Sequence, residues 1–114
     1  MANTAKDRVI VLKNGDNDDI RLDYNLLRKA VLTLRAVNHK LRKQIIKLLE
    51  EHDRLTVTEI YVKLRLEQSV ASQHLAILRR AGVVRTDRDG KYIHYSLNRP
   101  RIAEVSALVE ELAQ

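Results

Sequence analysis

Cysteine is absent from this chain. That excludes disulfides, thiolate metal sites, iron–sulfur clusters and thiol redox switches together. Phenylalanine and tryptophan are absent too, leaving four tyrosines, too few rings for a platform that stacks single-stranded bases. No apolar run approaches the roughly 18 residues of a membrane span, and no signal-peptide apolar core opens the chain, so a cytoplasmic setting is expected. His39, His52, His74 and His94 each lack a second histidine three or four residues away, which removes the helical histidine pair of many metal sites. No nucleophile–base–acid set and no glycine-rich phosphate loop is present, so no catalytic residue, no metal and no cofactor is expected. Asn14-Gly15-Asp16-Asn17-Asp18-Asp19 invites a calcium reading, but the glycine and the final glutamate of such a loop are missing. A turn followed by a helix cap suits it better. With one proline, three glycines and 114 residues, the chain shows no linker and no internal repeat.

What is present is positive charge, and it is grouped. The formal net charge is +6. Residues 24–49 hold Arg28, Lys29, Arg35, Lys40, Arg42, Lys43 and Lys47 with no acid among them. Residues 68–101 hold seven more basic side chains against Asp87 and Asp89 only. Acidic residues prevail in 50–67 and 102–114. An ordinary solvated surface mixes its signs, so this grouping favours a polyanionic partner.

Apolar periodicity then sets out the elements. Residues 1–18 read as an N-terminal arm, in which Arg8 to Lys13 is either a short strand or a segment that orders against a partner. Ile20, Tyr24, Leu27, Val31 and Leu34 recur at helical spacing, which predicts one long amphipathic helix from about Asp19. Asn38 is the expected cap of a second helix with Leu41, Ile45, Leu48 and Leu49 inward. Lys40, Arg42 and Lys43 crowd its first turns, where the helix dipole disfavours cations unless an anion binds there. Thr56-Val57-Thr58-Glu59 is a capping box opening a short third helix. A bend at Arg65–Glu67 leads to a fourth helix from Gln68 to Ala81, ended by Gly82. Two short helices across a tight bend make a helix-turn-helix. Beyond Gly82 the period drops to two, and Asp89-Gly90 marks a hairpin between Val83–Thr86 and Tyr92–Leu97. Pro100 opens a last helix. The expected fold is α+β, mainly α: a winged helix-turn-helix of four helices, a hairpin and a fifth helix, with residues 19–114 as one DNA-binding and dimerisation domain.

At about 100° per residue, Ser69, Ser72, Gln73, Ala76 and Arg80 share one face of the fourth helix, opposite Ala71, Leu75 and Leu78. A small, polar, uncharged face enters a major groove closely, with glutamine suited to adenine and serine permissive. Cations beside it hold phosphates, which position without reading sequence. His74 falls on the flank and reads as a structural histidine. Arg88 and Lys91 bracket the hairpin tip, within reach of phosphates or a narrow minor groove.

Leu34-Arg35-Ala36, Leu41-Arg42, the run from Gln68 through Arg85, and Gly90-Lys91-Tyr92-Ile93-His94-Tyr95-Ser96-Leu97 resemble the ArsR/SmtB winged-helix repressors over roughly residues 20–112. The resemblance implies a homodimer that represses transcription until an inducer, often a metal ion, lowers DNA affinity. It implies major-groove contacts from Gln68, Ser69, Ser72 and Gln73, with Arg88 and Lys91 on the wing. Lys40, Arg42 and Arg80, from the charge and helix-face reading, are the further DNA contacts expected, and an imperfect palindrome is the expected operator. Pairing through the first and last helices implies an interface of Tyr24, Leu27, Val31, Leu34, Ile102, Val105, Leu108, Val109 and Leu112. The sequence departs from the family at its sensors. Thr56 and Thr58 stand where metal-sensing members carry a Cys-x-Cys, and Arg99, Arg101 and Leu112 stand near the zinc-ligand positions of the last helix. The expectation is a member without the usual metal or thiol switch and with an unknown inducer. Glu67, in the place of a small cap residue, either caps the fourth helix or accepts from a cytosine. The alternative function is a winged helix that binds protein, with little duplex affinity of its own.

Overall fold

The computed structural model describes residues 9–15 and 17–113, and the chain divides into two compact units, Met1–Val31 and Leu32–Gln114. Residues 1–8 of the expected arm, and Asp16, lie outside the described residues.

In the first unit β1 (Val9–Asn14) pairs antiparallel with β2 (Asn17–Asp23), Val9 opposite Asp23 and Leu12 opposite Ile20. Gly15 turns the chain at φ +60, a conformation that suits glycine. This corrects the helix expected from Asp19, and β2 crosses the boundary drawn at residue 18. Asp19 to Asp23 also alternates polar and apolar residues, and the Val9–Leu12 run supplies a partner for that period. The helix α1 (Tyr24–Val37) starts five residues later, where the Asp23 carboxylate accepts from the N–H groups of Asn25 and Leu26 at 3.0 and 3.2 Å. Asp23 is thus its cap.

The second unit holds the C-terminal turns of α1 and all that follows: α2 (Lys40–His52), β3 (Leu55–Thr56), α3 (Val57–Leu64), α4 (Gln68–Arg80), β4 (Val84–Asp89), β5 (Tyr92–Leu97) and α5 (Arg99–Ala113). The cap of α2 is His39, whose Nδ1 accepts from the Leu41 N–H at 3.1 Å, and not Asn38 as expected. Thr56 serves two elements. Its backbone pairs with His94 in the ladder, while its hydroxyl accepts from the Glu59 N–H at 3.2 Å and Glu59 returns a bond to the Thr56 N–H at 2.9 Å. That is the expected capping box. It holds the Glu59 carboxyl below the ordinary carboxylate range, the backbone bond from Thr56 contributing most. Arg65 takes a left-handed conformation at φ 55 to end α3, a strain of about 1 kcal/mol for a non-glycine residue.

The sheet runs β3-β5-β4, all antiparallel. The first wing strand runs three residues further than expected while β5 has the expected bounds, because Asp89 pairs with Tyr92 and only Gly90 and Lys91 turn. Within this turn positive φ occurs at Gly90 and not at Lys91, as a type II′ turn needs. The core lies between α2, α3, α4 and the sheet, with Ile45, Leu49, Ile60, Leu75, Leu78 and Val83 fully buried. Burying each such side chain is worth roughly 1.5–3 kcal/mol. The helix α5 starts at Arg99, one residue ahead of Pro100, and Asn98 accepts from the Arg101 N–H at 3.3 Å. No helix among the described residues is long and apolar enough to cross a membrane.

Candidate nucleic-acid interface

The two-helix bend holds α4 with its apolar side inward. Ala71, Leu75 and Leu78 are fully buried, so residues on the opposite side must face solvent. Gln68, Ser69, Ser72, Gln73, Ala76 and Arg80 are all exposed there. Glu67 precedes the helix with an extended backbone and makes no side-chain cap bond, which leaves its carboxylate free beside the first turn. Capping was one of its two expected roles, and the structure removes it.

The far end of α4 is tied down from two directions. Gly82 turns the chain at φ +77, and a Cβ there would run into the Arg101 guanidinium. The Ala81 carbonyl accepts from the buried Thr33 hydroxyl at 3.2 Å and from Arg101 Nη1 at 3.3 Å. Arg101 occupies a position where the sequence departs from zinc-sensing relatives, and it closes a helix end. Arg99 pairs with Glu50 at 2.7 Å; both groups are more than half exposed, so the pair adds little stability.

The wing presents Arg88 and Lys91, both exposed. Arg88 Nε bonds to the Gly90 carbonyl at 3.2 Å, and Lys91 Nζ lies 5.4 Å from the centre of the Tyr92 ring. At its base, Arg54 Nη2 donates to Asp87 at 3.3 Å and to Nδ1 of His94 at 3.1 Å. Asp87 is one of two acids in the second basic block, and this tie engages its charge.

The first basic block divides. Lys40 is exposed and free of side-chain ties among the described residues, as a phosphate contact requires, whereas Arg42 is half-buried. Arg42 Nε bonds to the Ala36 carbonyl, Nη2 to the Arg35 carbonyl at 3.4 Å, and Nη1 lies 3.2 Å from Nδ1 of His74. The guanidinium therefore closes the C-terminus of α1 and touches α4.

Sequence reasoning missed Tyr95. With Ser72, Ala76, Arg79 and Arg80 it lines a concavity of about 420 Å³ between α4 and the wing. Strand alternation assigns Tyr95 to the inward face, and nothing local says that this face opens beside α4. The expected dimer residues also divide. In the first unit Tyr24 and Val31 are exposed and Leu27 half-buried. In the second, Leu34 and Leu112 are exposed at 43% and 68%, and Leu108 and Val109 are half-buried. Val105 is buried at 4% and Ile102 packs on the core. The α5 stripe is thus wide enough that part of it is also used within the chain. An open apolar groove of about 860 Å³ runs between Thr33–Val37, Lys43–Glu50 and α5.

A helix-turn-helix with its second helix exposed, followed by a basic two-stranded wing, defines a winged helix-turn-helix DNA-binding protein. Comparison with known proteins makes the class narrower. The family described as "Bacterial regulatory protein, arsR family" matches residues 39–86. The transcriptional repressor PagR of Bacillus anthracis is 33% identical over 94 residues, covering 82% of this chain and 94% of that protein. The transcriptional activator HlyU of Vibrio cholerae is 40% identical over 84 residues, 74% of each chain. The crystal structure of PagR superposes with a TM-score of 0.65 at 34% identity, over 75% of this chain and 99% of that one. The chain belongs to the ArsR family of transcriptional regulators. It is a DNA-binding regulator of transcription and not an enzyme.

Proposed function

We propose that the protein represses transcription in the cytoplasm as a homodimer bound to an imperfect palindrome, without the metal or thiol inducer sites common in the family. The observation that carries the reading is the outer face of α4, where Gln68, Ser69, Ser72 and Gln73 are exposed over a fully buried Ala71, Leu75 and Leu78. Those four side chains contact base edges, while Lys40, Arg80, Arg88 and Lys91 hold phosphates. Exposed Leu34 and Leu112, with half-buried Leu108 and Val109, supply apolar surface for the partner protomer. Two recognition helices so paired meet successive major grooves about 34–36 Å apart. At the positions of the family's usual sensors stand Thr56, Thr58, Arg99 and Arg101, of which Thr56 caps α3 and Arg101 closes α4. Selection of genomic fragments by the purified protein, followed by footprinting, tests the reading. Two protected half-sites one helical turn apart are expected, and their affinity is expected to be unmoved by micromolar zinc or arsenite. A single protected half-site would refute the dimer, and a metal-dependent shift would refute the sensor assignment.

A further inference from the structure

Three elements meet at one guanidinium. Arg42, in the first turn of α2, bonds to the Arg35 and Ala36 carbonyls at the end of α1 and approaches Nδ1 of His74 in α4 at 3.2 Å. Arginine has only donors. His74 Nδ1 must therefore accept, which puts the proton of the neutral ring on Nε2. The His39 ring lies 4.7 Å from that of His74, centre to centre, tilted by 46°. Its own Nδ1 is engaged in capping α2. His74 sits next to Gln73 in sequence, on the flank of the face that reads the duplex.

We propose that Arg42 is a positioning residue for duplex binding, which sets the pose of α4 through His74, and that a proton on His74 releases this latch. A second proton would have to go on Nδ1, the atom that accepts from Arg42. It would also place a cation against a guanidinium. Among the described residues, the titratable and charged groups that bear on His74 are His39 and Arg42, with no carboxylate among them. Burial, then His39 and Arg42, holds the ring below its ordinary value of 6.5. The sign follows: the latch is closed above that value and opens as the pH falls through the lower value of the folded protein. Simple electrostatics has the opposite sign, because added charge on any histidine strengthens binding to a polyanion. A fall in duplex affinity on acidification therefore distinguishes the latch from charge alone.

The inference rests on α4 being the duplex-reading helix, and the first arm of its test needs no DNA. Nitrogen-detected histidine spectra of the 114-residue chain should show His74 as the Nε2–H tautomer near neutral pH. The Ser72 and Gln73 amides should shift with the same midpoint as the His74 ring. In the second arm, a labelled duplex recovered by selection should bind more weakly at pH 5.5 than at pH 8 at constant salt, the loss approaching about tenfold, the worth of one charged hydrogen bond, as the His74 ring becomes fully protonated. His74→Asn keeps an acceptor that does not titrate. It should flatten that profile, with His74→Gln as the second variant if the first melts early, while His39→Asn, which removes one of the groups that holds the ring low, should keep the fall and move its midpoint to higher pH. Arg42→Lys keeps the charge but cannot span the three acceptors. It should lose affinity at pH 8 with an unchanged salt slope, whereas for a phosphate contact affinity would be largely kept. A flat wild-type profile, affinity that rises on acidification, an Nδ1–H tautomer, or full affinity in Arg42→Lys would each overturn the latch. Absence of duplex binding with the expected spectra would instead refute the reading of α4.

Discussion

The carbonyl of Ala81, at the end of the recognition helix, has two side-chain donors, and removing them one at a time should be far milder than removing both. Thr33 is 4% exposed and donates at 3.2 Å; Arg101 donates at 3.3 Å from a half-buried position. Thr33→Val keeps the shape and removes a neutral bond, a loss of about 1 kcal/mol. Arg101→Ala removes a charged donor, a loss of about 1.5 kcal/mol, the low end for such bonds. In either single variant the carbonyl keeps one partner. In the double variant it has none, within a residue only 6% exposed. The desolvation penalty of an unpaired acceptor, about 1–3 kcal/mol, then enters in full. The double variant should thus lose about 1 kcal/mol more than the sum of the singles, a coupling well outside ordinary additivity. Urea unfolding at one fixed protein concentration measures it, which keeps any contribution from self-association constant. Losses that add to within about 0.3 kcal/mol would refute the shared-acceptor reasoning.

Other expectations are as specific. Gln73→Ala should weaken preference at one base pair per half-site by about 1–3 kcal/mol; equal loss on selected and scrambled duplex would show that Gln73 does not read bases. Leu34→Glu and Leu108→Glu should each give a monomer by light scattering, and a dimeric mass for both would remove α1 and α5 from the interface. Because the Thr56 bonds hold the Glu59 carboxyl below its ordinary value of 4.5, the stability they confer is present above that value and lost as pH falls through the folded value. The gap between wild type and Glu59→Gln should therefore be full well above 4.5 and close as the pH falls below it. A constant gap would sever the link to titration.

Much of the fold was legible because its signals are local. Thr56 and Glu59 sit three apart, Gly82 follows a periodic stretch, and the strand pattern beyond it has period two. The face of α4 was legible for the same reason, since 3.6-residue geometry alone separates Ser69, Ser72 and Gln73 from Leu75 and Leu78. What escaped depends on partners distant in sequence. Ile20 fits both a helical and an alternating pattern, and pairing with Leu12 decides between them. Histidine is not among the favoured cap residues, so Asn38 stood out over His39. Arg42 looked like a phosphate contact until the Arg35 and Ala36 carbonyls and His74, 32 residues on, were seen to surround it. Val105 belongs to an apolar stripe that shows no sign of which residues are used within the chain.

The central claim is that α4 and the wing bind duplex DNA by sequence, and titrating a selected duplex and its scrambled counterpart over a series of salt concentrations tests it most directly. Affinity for both should fall linearly on a log–log scale, by about 0.9 for each phosphate neutralised. The selected duplex should bind at least about a thousandfold more tightly at physiological salt. Negligible affinity at every salt concentration, or equal affinity for the two duplexes, would contradict the claim and favour a winged helix that binds protein.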